Sequence, residues 1–302
     1  MARKRDVVVG VIVGGSFLVA FVIFAFMIVG IMSGEGNFSM AGIGGGDVGV
    51  VEVFGAIDEV SGRVVIDDLD DWARNSSVKA IVLHVNSPGG GVAISQEIYD
   101  AILRVRREDK PVVVSMASVA ASGGYYIACA ADRIVANPGT LTGSIGVIFQ
   151  FPTLGGLFEK IGVEYETVKS GELKDVGNLS RRMTKKEELM LKAVVMDTYE
   201  QFVQVVSEGR GMDPEEIYPI ADGSIYTGSQ ALKYGLVDTL GGLEEAILLA
   251  ADLAGVEGDP SVVRPYRREK TGLIDLLGSA VNEVTGQVSQ RFSEPKLLYL
   301  YQ

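Results

Sequence analysis

A chain of 302 residues can hold one large domain or two small ones, and with 47% hydrophobic residues it can bury a sizeable core. Its 39 acidic against 27 basic side chains leave a formal net charge of −12, which argues against nucleic acid as a partner because the phosphates would be repelled. One cysteine, Cys129, excludes an intrachain disulfide framework and a cysteine-cluster metal site; set among alanines, it reads as a small buried core residue.

The first element is apolar. From Val7 to Met32 no residue is charged, and Ser16 is the clearly polar exception. At about 1.5 Å per helical residue this run can cross a hydrocarbon core of about 30 Å with some tilt. Arg3, Lys4 and Arg5 precede it and no lysine or arginine follows until Arg63. That asymmetry predicts a cytoplasmic stub over residues 1–6, a single-pass anchor in the cytoplasmic membrane over 7–32, and an extracytoplasmic remainder. A cleaved signal peptide fits less well, since its apolar core covers only about 7–15 residues and "MSGEGNF" is a poor small-x-small cleavage site. Residues 33–47, rich in glycine and serine, read as a flexible tether.

Strand and helix patterns then alternate. "VGVVEVFGAI" (48–57) is β-branched and strand-like, and "SGRVVIDDLDDWARNSS" has helical spacing at Val64, Val65, Leu69 and Trp72. "AIVLHV" (80–85) is a short strand closed by "NSPGGG" and followed by a helix from about Val92 to Arg106. "PVVVSM" is another strand, a helix begins at Ser122, and "RIVA", "SIGVIFQF" and "EYETVK" read as later strands. Short apolar strands separated by helices predict βαβ units and a largely parallel sheet. A long amphipathic helix follows from Thr184 to about Gly209, with "TKKEE" as a capping-box-like start and "SEGRGMDPEEI" as its break. Residues 257–302 read as a tail with helical spacing over 271–292. No phosphate loop or dinucleotide fingerprint occurs, and no metal or organic cofactor is implied.

Three places carry chemistry. In "VNSPGGG" (85–91), three consecutive glycines between a strand and a helix leave backbone N–H groups unshielded, which suits an oxyanion or a phosphate; an empty βα turn explains the glycines equally. In "ASGGYY", Ser122 stands at the head of a helix, where a nucleophile would aim its own or the next amide at a developing oxyanion. Taken alone, an N-cap is the simpler account of that serine. In "VKSGELKDVGN" (168–178), Lys169 and Lys174 sit among small and acidic residues. An unprotonated lysine can replace histidine as the activating base. Free lysine titrates near 10.4, so a base working near 7–8 needs a shift of roughly three units, about 4 kcal/mol, which burial can supply. For an arbitrary lysine a solvated surface charge is the ordinary state.

Together "VNSPGGG", "ASGGYYIACAADRIVANPGTLTGSIGVI", "KSGELKD" and "DGSIYTGSQALKYGLVDTLGG" resemble signal peptide peptidase A, a family of membrane-anchored Ser-Lys peptidases, over roughly Val50 to Leu253. Each motif is weak by itself; their order and gaps make the combination specific. The anchor and tether match the short, single-repeat members. The resemblance implies an α/β domain (48–256) of ClpP/crotonase-like fold assembled into a homo-oligomeric ring. It also implies Ser122 as nucleophile, Lys174 as general base, Gly89 and Gly123 as oxyanion-hole donors, and Ser144 as the residue orienting the lysine amine. Lys169 lies outside the match. Leu173 stands where the family commonly has an aromatic.

The implied activity is a serine endopeptidase acting through an acyl-enzyme on remnant signal peptides near the lipid surface. Rival readings are a membrane-protein quality-control protease on the same dyad, a crotonase-like acyl-CoA enzyme, and a non-catalytic ring scaffold. The single histidine, His84, alternates with apolar residues and has no recognisable orienting carboxylate, so it reads as a core or subunit-contact residue. The apolar end "EPKLLYLYQ" could enter a substrate groove, or could be a simple packing segment.

Overall fold

Residues 46–265 and the backbone of 298–300 are described in the computed structural model. The expected anchor at 7–32, all but the last two residues of the tether, and the expected helix at 271–292 lie outside the described residues. Among the described residues no helix is long and apolar enough to cross a membrane.

β-Branched runs build the sheet. In chain order the elements are β1 (Val48–Phe54), α1 (Glu59–Arg74), β2 (Ala80–Ser87), β3 (Gly89–Gly91), α2 (Val92–Arg107), β4 (Val112–Ala121), α3 (Gly123–Ala128), β5 (Arg133–Ala136), β6 (Leu141–Gly143), α4 (Gly155–Ile161), α5 (Lys185–Arg210), α6 (Pro214–Ile217), β7 (Ile225–Thr227), α7 (Gly228–Lys233), β8 (Thr239–Leu240), α8 (Leu243–Leu253), β9 (Val262–Val263) and β10 (Leu298–Leu300). The main sheet runs β7-β6-β4-β2-β1-β9, with β5 and β8 branching from β4. β1 to β2, β2 to β4 and β4 to β5 are all parallel, as the βαβ pattern predicts. β4 is the trunk: its first half pairs with β5 and its last three residues, Val119–Ala121, pair with β6.

The strands are apolar on both faces because both are covered. Val51, Val53, Ile81, Leu83, Val85, Val112, Val114 and Met116 join one buried cluster with Leu69, Trp72, Ile94 and Ile98 of α1 and α2. The alternate residues Val48, Val50, Ala80, Val82 and Val113 pack against Ala246, Ala250 and Ala251 of α8. A serine at the C-terminal end of β4 is therefore fixed by two closed layers.

Three sequence expectations change. Val64 is exposed, and Ile66 takes its place on the buried stripe of α1. "SIGVIFQF" is not a strand: β6 is the preceding Leu141–Gly143, and Ser144, with φ 51°, turns the chain out of the sheet. "EYETVK" is also unpaired in the described chain, and every residue from 162 to 172 is exposed. The long helix forms as predicted, with Thr184 accepting from the Glu187 amide and Gly211 closing it at φ 64°.

Candidate active site

β4 ends at Ala121 and α3 begins at Gly123, leaving Ser122 in the turn between them with φ 52° and ψ −116°. Such a conformation costs a non-glycine residue about 1–3 kcal/mol. The turn is held from both sides: the Ser122 amide donates to the Gly143 carbonyl at 2.8 Å, and its carbonyl accepts from the Tyr126 amide at 2.8 Å. The N-cap account fails, because the Ser122 side chain makes no capping bond to α3. Ser122 is fully buried and its Oγ has no hydrogen-bond partner among the described residues. An orphaned buried hydroxyl costs a further ~1–3 kcal/mol. Two local costs coincide on one residue.

The glycine turn converges on the same place. A Cβ on Gly123 would lie 3.1 Å from the Gly90 nitrogen and 3.3 Å from the Gly89 Cα, so the two backbones touch where a side chain would separate them. Gly90 is equally constrained, since its Cβ would stand 1.9 Å from the Ile57 carbonyl oxygen. The Gly89 amide donates to Ser87 Oγ at 3.1 Å. As an oxyanion donor, it would exchange that hydroxyl for substrate oxygen. Ser87 was not singled out in the sequence, although it stands within "NSPGGG". Ser95 was missed as well; its Oγ donates to the Gly91 carbonyl at 2.8 Å and pins the far end of the turn.

Ser144 joins this group. Ala121 of β4 is paired with Gly143 of β6, so the next residues, Ser122 and Ser144, leave adjacent strands side by side, both at positive φ. Ser144 is 8% exposed and borders an open groove of about 680 Å³ with Gly146, Tyr199 and Gly223.

Lys174 is placed differently. It lies in a turn-rich segment between α4 and α5, is exposed, and its side chain has no hydrogen bond or ion pair to any described residue. The chain thus gathers Ser122, Gly123, Gly89 and Ser144, and does not join Lys174 to Ser122 Oγ. Lys169 instead bonds the Glu172 carbonyl and the Asp175 carboxylate.

The backbone at 298–300 adds an occupant. β10 pairs antiparallel with β3, Leu298 opposite Gly91 and Leu300 opposite Gly89. On its other side β3 binds Ile57, which donates to the Gly89 carbonyl and accepts from the Gly91 amide. Gly90 therefore presents its N–H and C=O to the β10 edge, opposite Tyr299.

The remaining candidates are inert. His84 Nδ1 lies 3.2 Å from Ser115 Oγ and its ring packs edge-on to Phe54; desolvation holds its pKa below the usual value. Burial pushes the Cys129 thiol up to about 12, so it stays protonated. Among the described residues no cluster of ligands could hold a metal ion.

Comparison with known proteins places these features in context. The model of peptidase family S49 matches residues 104–257, and that of Clp protease matches 48–139. A Synechocystis protein named "Putative protease" is 42% identical over 209 residues, covering 69% of this chain and 75% of the relative. An Enterococcus faecium protein named "Putative signal peptide peptidase SppA" is 43% identical over 174 residues, covering 58% of this chain and 51% of the relative. "Protease 4" of Salmonella typhi is 38% identical over 257 residues, covering 83% of this chain but 40% of its own length. The matched region thus spans about half or less of the last two relatives.

Proposed function

We propose, for a chain that belongs to peptidase family S49 and is a serine peptidase of the signal peptide peptidase A type, that Ser122 is its nucleophile and Lys174 its general base. The observation that carries the serine is a strained, fully buried residue whose hydroxyl bonds no described residue, followed directly by Gly123, which touches the backbone of Gly89 and Gly90. The lysine is supported by its motif and by what is missing among the described residues: Ser122 Oγ has no base within hydrogen-bond reach, and the Lys174 amine has no partner. The two needs are met if a neighbouring subunit's Lys174 loop closes over Ser122. The exposed apolar residues leading into that loop, among them Ile161, Tyr165 and Val168, fit such a contact, since they have no cover in one chain.

In this mechanism the neutral amine of Lys174 takes the Ser122 proton as Oγ bonds to the scissile carbonyl carbon. The Gly89 and Gly123 amides stabilise the resulting oxyanion, each worth about 10²–10³ in rate. The C–N bond then breaks, the leaving amine takes the proton from Lys174, and the acyl group stays on Oγ as an ester. Water gives a proton to Lys174 and attacks that ester, releasing the acid and restoring the serine hydroxyl. Ser144 orients the amine. Substrate lies as an extended strand along β3, the mode in which β10 already pairs. The physiological substrates are remnant signal peptides, met by a domain tethered to the membrane through 7–32 and assembled as a ring.

The test is peptide cleavage and fluorophosphonate labelling by the full chain. Ser122→Ala should abolish both, Lys174→Ala should abolish cleavage, and His84→Ala should leave both. Cleavage by Ser122→Ala at the wild-type rate would end the assignment.

A further inference from the structure

The loop that carries Lys174 is rich in acid, and a lysine that must work uncharged is poorly served by free carboxylates. Glu172 and Asp175 flank it at two residues and one residue. Neither is free. Lys186 of α5 pairs with Glu172. Asp175, 12% exposed, is held by Lys169 at 2.5 Å and by Arg181, whose Nη2 lies 2.9 Å from Oδ1 and whose Nε donates to Oδ2 at 3.2 Å. Arg181 turns its other edge on Glu187, donating at 2.8 and 2.5 Å to the two oxygens of a carboxylate that is 1% exposed. Glu187 also accepts from the Thr184 amide at 2.7 Å, so the chain of charges ends on the first turn of α5. Lys169 and Arg181 hold the Asp175 carboxyl down at about 2, and Arg181 with the Thr184 amide holds Glu187 at about 2.

The surrounding elements leave little else. Glu188, on the first turn of α5, is paired with Lys185. α4, tied to this segment by the Leu154 amide bonded to the Leu179 carbonyl, brings Glu159 and Lys160, both exposed and in no ion pair. Arg182 likewise forms no ion pair. Glu172 and Asp175 beside Lys174, and Glu187 and Glu188 on the first turn of α5, are thus each claimed by a cation other than Lys174, while Glu164 and Glu166, further back on the exposed stretch, pair with no described cation.

We propose that Arg181, bridging Asp175 to Glu187, is a positioning residue for Lys174: it ties the lysine loop to α5 and occupies the carboxylate that would otherwise keep the Lys174 amine protonated. The proposal rests on the Ser122–Lys174 reading and adds to it a defined role for Asp175 of the motif and for Arg181 and Glu187 beyond it. A bidentate guanidinium suits the task because it grips two carboxylates in one plane, which an ammonium cannot do.

The experiment measures kcat/KM against pH for peptide cleavage by the full chain, with the rate of Ser122 fluorophosphonylation as a second readout. Arg181→Gln leaves Asp175 with Lys169 as its remaining cation, so less of its negative charge is offset; that charge favours the ammonium form of a nearby lysine, and the acid limb should move to higher pH by about half to one unit. Activity at neutral pH should then fall about tenfold and partly recover in alkali. Asp175→Asn in the Arg181→Gln background removes that charge and should return the limb to its wild-type position, even if the maximum stays low. Arg181→Lys should rescue incompletely. A uniform loss at all pH values in Arg181→Gln, with the limb unmoved, would show a purely structural anchor and overturn the proposal. Cleavage by Ser122→Ala would instead sink the dyad itself, a different result.

Discussion

The two halves of the proposed site are built to opposite standards. On the serine side, Ser122, Gly123 and Gly90 are fully packed, two backbone hydrogen bonds fix the strained turn, and a single extra carbon on Gly90 would collide with Ile57. On the lysine side, residues 162–172 are all exposed, the expected strand is unpaired among the described residues, and none of these bonds the Lys174 amine. Preorganisation of the nucleophile and oxyanion donors is a property of one folded subunit. Placement of the base depends on whatever covers the exposed limb.

Mixing variants breaks or sharpens this contrast with the largest effect. Ser122→Ala and Lys174→Ala full chains should each lose at least about 10³-fold in peptide cleavage. Co-assembled from denaturant or co-expressed, they should recover a fraction of wild-type activity, because one in several junctions would pair an intact serine with an intact lysine. No recovery from mixed assemblies, where wild-type chains treated alike do recover, would place both groups in the same subunit. The next largest effect belongs to the rigid half: Gly90→Ala should abolish Ser122 labelling and lower the melting temperature, because backbone rather than a flexible side chain occupies the space for its Cβ.

How much of this contrast was legible follows from where each signal resides. Continuous apolar runs such as Ala80-Ile81-Val82-Leu83 announce a sheet buried on both faces, and the Thr184/Glu187 capping box announces its helix within one residue, because both are local patterns. The glycines of "SPGGG" and "SGG" also declare themselves, since they mark close backbone approach. What the sequence does not carry is pairing. Ser87 looks like any turn serine until its hydroxyl is seen on the Gly89 amide. Arg181 and Glu187, six residues apart across a helix start, follow no helical or strand periodicity that would pair them. "EYETVK" has the composition of a strand, but a strand also needs a neighbouring edge, and the described chain offers none.

A moderate effect is expected at the edge where the halves meet a substrate. β10 occupies the β3 edge with its backbone, the edge along which an extended peptide would pair. Removing residues 298–302 should raise kcat/KM for an added peptide several-fold, mainly through a lower KM, as a tethered competitor is lost. An unchanged KM after truncation would mean that peptides bind elsewhere.

The smallest effect should come from His84, and its sign separates the histidine from the site. His84 sits on β2, half-buried, with Ser115 and Phe54 as neighbours. Desolvation lowers its pKa in the folded chain below the 6.5 of the unfolded one. The unfolded state therefore binds more protons in this range, so stability rises with pH. The contribution is complete above about 6.5 and is lost as pH falls through the lower folded value. The carboxylates of Asp175 and Glu187, held at about 2, lose their contribution only as the pH falls below their ordinary 3.8 and 4.5 toward about 2. Melting temperatures of the full chain between pH 7.5 and 5.5 should fall in wild type and flatten in His84→Gln, while peptide cleavage at pH 7.5 stays within about twofold. A His84→Gln chain that melted normally and cleaved nothing would mean that the serine depends on the histidine, and the exposed lysine loop would need another purpose.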